Sequence, residues 1–109
     1  MILELNSDEM LLVIISIVRK INPAMLKAEG DGFTVDFTPL QDKTELSSDE
    51  QLLTKLRHAA ESEAATVELD AREARQLSAS LERLERLQKW PADVINMSRE
   101  LRSKLSTVV

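Results

Sequence analysis

Residues 6–18 read NSDEMLLVIISIV, a polar phrase followed by nine residues of which eight are apolar. In that phrase the Asn6 side chain can accept a hydrogen bond from the amide of Glu9, whose carboxylate can reach back to the Asn6 amide. Such a reciprocal cap begins a helix and Pro23 ends it, so we predict a helix over about 7–21. The β-branched residues also permit a strand, but the cap and the length of the run favour the helix. A helix that is apolar all round is normally buried all round, which makes this one either the centre of the fold or part of an interface.

The capping phrase occurs twice more, as SSDE at 47–50 and DARE at 70–73. Each copy predicts a helix, over about 48–63 and about 71–89. The second of these helices carries apolar residues at the spacing of a buried seam. We call them the leucine seam: Ala74, Leu77, Leu81 and Leu84. A tryptophan–proline pair interrupts this helix, and a last helix is predicted over about 91–106. Its inward residues are expected to be Val94, Met97, Leu101 and Leu105.

Short strands are predicted between these helices, from alternating or short apolar runs. They are expected over 2–5, 25–29, 33–37 and 65–69. The segment Gly30-Asp31-Gly32 contains both glycines of the chain. Because glycine readily takes the positive φ of a tight turn, the two middle strands are expected to form a hairpin. Residues 38–46 are polar and contain a proline, so they are expected to form the longest loop.

The element order is βαββαβαα, and its first six elements follow the order of the ferredoxin-like split βαβ arrangement. We therefore predict an α+β fold, a thin sheet of three or four strands covered by helices, with a C-terminal antiparallel helical hairpin. As an alternative, the short strands 2–5 and 65–69 pair only with each other. The 109 residues suit a single domain, with an α+β body over 1–69 and the hairpin over 70–109.

Residues 2–19 and 66–83 are similar when aligned without gaps. Five aligned pairs are identical: Glu4/Glu68, Leu5/Leu69, Glu9/Glu73, Ser16/Ser80 and Arg19/Arg83. The alignment predicts a duplicated strand–cap–helix unit with pseudo-twofold symmetry, although so few matches can also arise by chance. Four apolar residues of the first helix align with more polar or smaller ones: Leu11/Arg75, Leu12/Gln76, Ile14/Ser78 and Ile15/Ala79. We expect only the second helix to expose a face to water.

Composition restricts the classes of function. The net charge is −5, but residues 1–69 carry 13 acidic and 6 basic residues whereas residues 70–109 carry 6 acidic and 8 basic ones. This balance disfavours general binding of nucleic acid. The absence of cysteine excludes disulfides and is compatible with the reducing cytoplasm. The apolar run 10–18 is about half the length that crosses a bilayer, and no basic leader precedes it, so we expect an untargeted cytoplasmic protein with no membrane partner.

No catalytic, cofactor-binding or metal-binding motif is found. His58 is the only histidine and has no acidic residues at metal-ligand spacing, so it is interpreted as a surface residue. Gly30-Asp31-Gly32 lacks the length and the lysine of a phosphate-binding loop. We therefore predict no enzymatic activity, no cofactor and no metal.

Arginines form the one surface pattern that points to a partner. At 100° per residue, Arg72, Arg75, Arg83 and Arg86 fall within about 80° of each other, opposite the leucine seam. Such a face can bind an acidic protein surface or nucleic-acid phosphate, or can simply be solvated and balanced by Asp70, Glu82 and Glu85. Arg99 and Arg102 are expected to add charge on the last helix. Trp90, at the corner between the two helices, is expected to be a partly buried anchor or an interface residue.

These features together favour a non-enzymatic protein–protein interaction module, a small adaptor, regulator or inhibitor. The partner-binding residues are expected to be Arg72, Arg75, Arg83, Arg86 and Trp90. The partner is expected to be an acidic protein surface or a second copy that associates through an apolar helix, giving a homodimer. Two alternatives stay open: a nucleic-acid-linked regulator that uses the four arginines, and a small-ligand-binding domain with a pocket between the sheet and the first helix.

Overall fold

A computed structural model describes residues 2–30, 32–41, 44–61, 66–87 and 90–106 of the chain. The helices are α1 (Ser7–Ile21), α2 (Thr38–Gln41), α3 (Ser48–Glu61), α4 (Ala71–Leu87) and α5 (Ala92–Ser106). The strands are β1 (Ile2–Glu4), β2 (Leu26–Glu29), β3 (Gly32–Val35) and β4 (Thr66–Glu68). A 3-10 turn, Pro23–Met25, joins α1 to β2. The predicted α+β class is confirmed, as is the C-terminal pair of packed helices, α4 and α5.

The three capping phrases begin α1, α3 and α4 as predicted. At α1 the Glu9 amide donates to Asn6 Oδ1 over 2.8 Å, and the Asn6 amide donates to Glu9 Oε1 over 3.0 Å. Ser47 with Glu50, and Asp70 with Glu73, make the same pair of bonds. Local chemistry therefore sets where these helices start. The predicted C-terminal ends at 62–63 and 88–89 lie outside the described residues.

The strands form two separate ribbons, which corrects the prediction of one thin sheet of three or four strands. β1 pairs antiparallel with β4, and β2 pairs antiparallel with β3. Within the described segments no hydrogen-bonded pairing joins the two ribbons. β1 and β4 have only three residues each. A helix cap follows each strand within two residues and ends it. Neither strand is therefore long enough to pair with a second neighbour. The alternative in which these two strands pair only with each other is the one observed.

The predicted hairpin forms between β2 and β3. Leu26 lies opposite Val35, and Glu29 opposite Gly32. Gly30 has a φ of +56°, the conformation for which glycine is favoured. The middle residue of the predicted turn, Asp31, lies outside the described residues.

The predicted loop over 38–46 contains one helical turn, α2, and this corrects the sequence interpretation. Asp36 Oδ1 accepts hydrogen bonds from the Thr38 amide (3.0 Å) and hydroxyl (2.6 Å). This cap starts the turn, and Pro39 suits its first residues because a proline needs no amide partner there. Leu40 then packs against the core. Residues 42 and 43 of the predicted loop lie outside the described residues.

The two similar segments meet at their strands. β1 of the first copy pairs with β4 of the second, and their register is centred on Leu3 opposite Val67. These two residues are also equivalent in the sequence alignment, so the strand pair is consistent with a pseudo-twofold axis through its centre. The equivalent serines Ser16 and Ser80 are both buried, and each hydroxyl donates to a carbonyl of its own helix.

Helix α1 is the centre of the fold. It packs against α3, α4 and α5, and eight of its residues are buried: Met10, Leu12, Val13, Ile14, Ile15, Ser16, Ile17 and Val18. Its apolar surplus is therefore covered within one molecule, and Leu11, 42% exposed, is the exception. The leucine seam of α4 is at most 2% exposed and belongs to the same core.

Candidate protein-interaction surfaces

The four predicted arginines lie on the solvent-facing side of α4. Arg72, Arg75, Arg83 and Arg86 are all exposed, whereas the leucine seam on the opposite side is buried. We call these four residues the arginine face. Arg86 forms an ion pair with Glu82 one turn earlier, at 2.5 Å. The four side chains spread over about 21 Å of helix, at a rise of about 1.5 Å per residue.

The arginines of this face differ from the other described cations in their pairing. In the part of the chain that the structure describes, Arg72, Arg75 and Arg83 make no hydrogen bond, ion pair or ring contact. The other described cations all have a carboxylate within ion-pairing distance or an aromatic ring: Arg19, Lys20, Lys27, Lys55, Arg57, Arg86, Arg99, Arg102 and Lys104. Among the described cations, the unpaired ones therefore all lie on one helix face.

Arg99 and Arg102, expected to add charge on the last helix, lie on α5. Both lie against Glu85, which is 13% exposed and joins α4 to α5. Glu85 accepts from the Ser98 hydroxyl at 2.8 Å and from Arg102 Nη2 at 3.0 Å. Arg102 Nε is 2.8 Å from Glu85 Oε2 but is poorly aligned for a hydrogen bond. Glu85 thus holds α4 and α5 together and does not balance the arginine face.

A groove runs beside the arginine face. Its volume is about 370 Å³ and it lies between the middle of α4 and the end of α5. We call it the α4 groove; it is lined by Ala74, Arg75, Ser78, Ala79, Glu82, Leu105 and Ser106. Most of these α4 side chains are small, and small side chains allow another helix to approach closely.

Trp90 is half-buried at the corner between α4 and α5. Its indole N–H donates to the carbonyl oxygen of Leu84 at 3.0 Å, so the buried part of the ring has its polar group satisfied. The Arg19 guanidinium lies 5.6 Å from the ring centroid, within the range of a cation–π contact. The tryptophan therefore holds the end of α4 against the N-terminal part of α5.

Trp90 also lines a second groove, which sequence reasoning missed. The Trp90 groove has a volume of about 360 Å³ and lies between α1 and α5. Its apolar walls are Leu11, Leu12, Ile15, Trp90, Val94 and Met97. Asp8 and Asp93 stand at its rim, and neither has a hydrogen-bond or ion-pair partner within the described residues. Val94 and Met97, predicted to face the core, are only half-buried because they border this groove.

The two grooves occupy equivalent faces of the repeat. Leu11 and Ile15 of the Trp90 groove align with Arg75 and Ala79 of the α4 groove. One groove is apolar with an acidic rim, whereas the other contains Arg75 and Glu82 among mostly small side chains. The signal that could have revealed the first groove was therefore present: an apolar residue, Leu11, at the position where the other copy has an exposed arginine.

His58 is exposed on α3, as predicted. Over the described segments, no group of three or more His, Asp or Glu side chains is arranged to hold a metal ion. Hydrogen bonds from the Thr38 side chain and amide lower the pKa of Asp36, but this carboxyl is the cap of α2. Among the described helices, none combines the length and the apolar character needed to cross a bilayer.

No protein-family model, curated protein or solved structure matches the chain.

Proposed function

We propose that the protein is a non-enzymatic protein-interaction module whose arginine face binds an acidic helix of a partner protein. The observation that carries the proposal is that Arg72, Arg75 and Arg83 are exposed and unpaired, whereas the other described cations have partners. A partner carboxylate can bind such a guanidinium by a charge-assisted bidentate hydrogen bond. A role as an adaptor, regulator or inhibitor, and a location in the cytoplasm, remain predictions from the sequence.

A helical partner is favoured by the α4 groove. Ser78 and Ala79 present little side-chain volume between the arginines, so a helix laid along α4 can come close to its backbone. Arg75 borders this groove and can bind an acidic residue of the partner while an apolar residue of the partner contacts the exposed Ala79.

Nucleic acid is the less favoured ligand of the same face. The protein has a net charge of −5, which repels a phosphate backbone. Glu82 lies beside the arginines at 47% side-chain exposure, and α4 contains no aromatic residue on which a base can stack.

The test uses defined probes and fluorescence anisotropy. One probe is a synthetic helical peptide with glutamates on one face and alanine and leucine on the other. A matched peptide has lysine in place of each glutamate, and a DNA duplex is the third probe. We expect the acidic peptide to bind, and to bind more weakly as salt is added. The double variant Arg72→Glu/Arg75→Glu is expected to lose this binding.

The matched control is Lys27→Glu/Arg57→Glu, which changes the net charge by the same amount on β2 and α3. It is expected to retain binding of the acidic peptide. Equal loss in both double variants would mean that net charge governs binding, and absence of peptide binding by the wild type would refute the proposal. Binding of the duplex that depends on Arg72 and Arg75 would replace it with the nucleic-acid alternative.

A further inference from the structure

Three large apolar side chains are exposed in the described part of the chain: Ile2 at 71%, Leu11 at 42% and Leu87 at 50%. Leu11 lies in the Trp90 groove, whose rim is acidic. Leu87 is the last residue of α4, one turn after the unpaired Arg83. Among the described residues, the molecule thus has an apolar groove whose rim carboxylates are unpaired, and an exposed Leu87 one turn from an unpaired arginine.

We propose that a second copy of this chain occupies the Trp90 groove, with Leu87 of one copy inserted between Leu11 and Met97 of the other. Arg83 of the inserted helix then lies close enough to pair with Asp8 or Asp93 at the rim. This inference rests on the proposed function, in which the arginine face is a docking surface. It adds that Arg83, near the C-terminal end of that face, pairs with an acidic residue of a second copy. Arg72 and Arg75 remain free for another protein.

The position of Trp90 allows this contact to be reciprocal. Its indole N–H is bonded to Leu84 O, so the groove wall is attached to the last turn of α4, from which Leu87 projects. Leu87 and the Trp90 groove therefore lie beside each other on one molecule. Two neighbouring complementary patches can be exchanged around a twofold axis, which gives a closed dimer and not an open chain.

Charge complementarity favours a second copy over an unrelated apolar ligand. Asp8 and Asp93 lack cationic partners within the described residues, and burying an apolar ligand beside them would leave these carboxylates partly desolvated and unpaired. A second copy supplies both groups that the groove needs. Its Leu87 fills the groove, and its Arg83, one turn earlier, is the cation for the rim carboxylates. The contact involves one helix end and one groove on each copy, so we expect a dimer that depends on protein concentration.

The experiment is sedimentation velocity of the full chain from micromolar to millimolar concentration. Trp90 is the only tryptophan, so its emission reports on the groove in the same samples. We expect the wild type to pass from monomer to dimer with a blue shift of this emission, because the ring becomes less exposed to water. Leu87→Glu and Leu11→Glu each place an acid against the acidic rim, and both are expected to remain monomeric. Ile2→Glu is the matched control and is expected to dimerise like the wild type.

A charge exchange tests the pairing itself. Arg83→Glu and Asp93→Arg are each expected to weaken the dimer, and the double variant to recover it in part. The proposal is refuted by a wild type that is monomeric throughout, or by a dimer that Leu87→Glu and Leu11→Glu leave intact. Failure here is distinguishable from failure of the proposed function, because Leu87→Glu should still bind the acidic peptide through Arg72 and Arg75. Conversely, Arg72→Glu/Arg75→Glu should still dimerise.

Discussion

Helices α1 and α4 start with the same kind of reciprocal cap, and each follows one strand of the β1–β4 pair. Nevertheless α1 is buried on nearly every side, whereas α4 is buried on one side only. Their inward positions are equivalent: Val13 aligns with Leu77 and Ile17 with Leu81, and all four are fully buried. The two helices differ on their remaining surface: α3 and α5 cover that of α1, whereas that of α4 is open to solvent. The comparison indicates that the cap and the inward residues determine the shared structure, whereas the outward residues determine what each copy contacts.

The first prediction concerns the inward positions and has the largest expected effect. Ile17→Ala and Leu81→Ala each remove a fully buried side chain, so each should lower the free energy of unfolding by about 2–5 kcal/mol. Urea denaturation followed by circular dichroism measures both. Leu87→Ala, at an exposed position of α4, should change the free energy of unfolding by less than about 0.5 kcal/mol. A large loss in only one of the two core variants would show that the copies do not contribute equally to the core.

The second prediction separates the outward positions of the two helices. Ile14→Ser gives α1 the residue that α4 has at the equivalent position, and it should cost about 2 kcal/mol or more because Ile14 is buried. The reverse change, Ser78→Ile, should cost less than about 0.5 kcal/mol because Ser78 is partly exposed. The same denaturation experiment compares the two. Equal costs would contradict the difference in burial between α1 and α4.

The third prediction concerns Glu85, the carboxylate that joins α4 to α5. Glu85→Ala removes the acceptor of Ser98 and Arg102 on α5, and should lower the free energy of unfolding by about 1–3 kcal/mol. Glu82→Ala, which removes an exposed ion pair one turn away, is the matched control and should cost less than about 0.5 kcal/mol. If the two variants were equally stable, α4 and α5 would not be joined by this carboxylate.

The fourth prediction compares the two caps of the repeat. Asn6→Ala and Asp70→Ala each leave a first-turn amide without its acceptor, so each should cost about 1 kcal/mol. Thermal denaturation measures the loss, and the variants Asn6→Asp and Asp70→Asn should keep most of the stability because both residue types cap helices well. A loss confined to α1 or to α4 would mean that one reciprocal cap does not form in solution.

The smallest expected effect lies outside the repeat, at Asp36. Its pKa is lowered in the folded protein chiefly by the hydrogen bond from the Thr38 side chain and then by the Thr38 amide. The interaction therefore stabilises α2 at pH values above the ordinary carboxyl pKa, and this contribution is lost as the pH falls through the lowered value. An NMR titration of the carboxyl should show the lowered pKa, and Thr38→Ala should raise it. An unchanged pKa in that variant would contradict the cap.

The sequence was sufficient to predict the features that local chemistry determines. The three reciprocal caps at Asn6, Ser47 and Asp70 located the helix starts, and Gly30 located the hairpin turn. The leucine seam was recognised because its spacing follows the helical period. The exposure of Arg72 and Arg75 followed from the same period, because they lie opposite the seam.

Features that depend on distant contacts could not be predicted in the same way. Nothing near Glu85 in the sequence indicates that Arg102 would approach it, because that contact depends on the angle between α4 and α5. Leu11 could have indicated an exposed apolar position on α1, but the Trp90 groove also needs Trp90, Val94 and Met97 to lie beside it, and their placement depends on how α5 packs. The number of strands in one sheet was also undetermined, since β1 and β4 are too short for their pattern to specify a second neighbour.

The difference in burial between α1 and α4 can be measured directly because the chain has no cysteine. Ile15→Cys and Ala79→Cys place single thiols at equivalent positions of the two helices, and their reaction with a maleimide reports the access of solvent to each. We predict that the thiol at position 79 reacts nearly as fast as in the denatured protein, and that the thiol at position 15 reacts many-fold more slowly. Equal rates at the two positions would contradict the account.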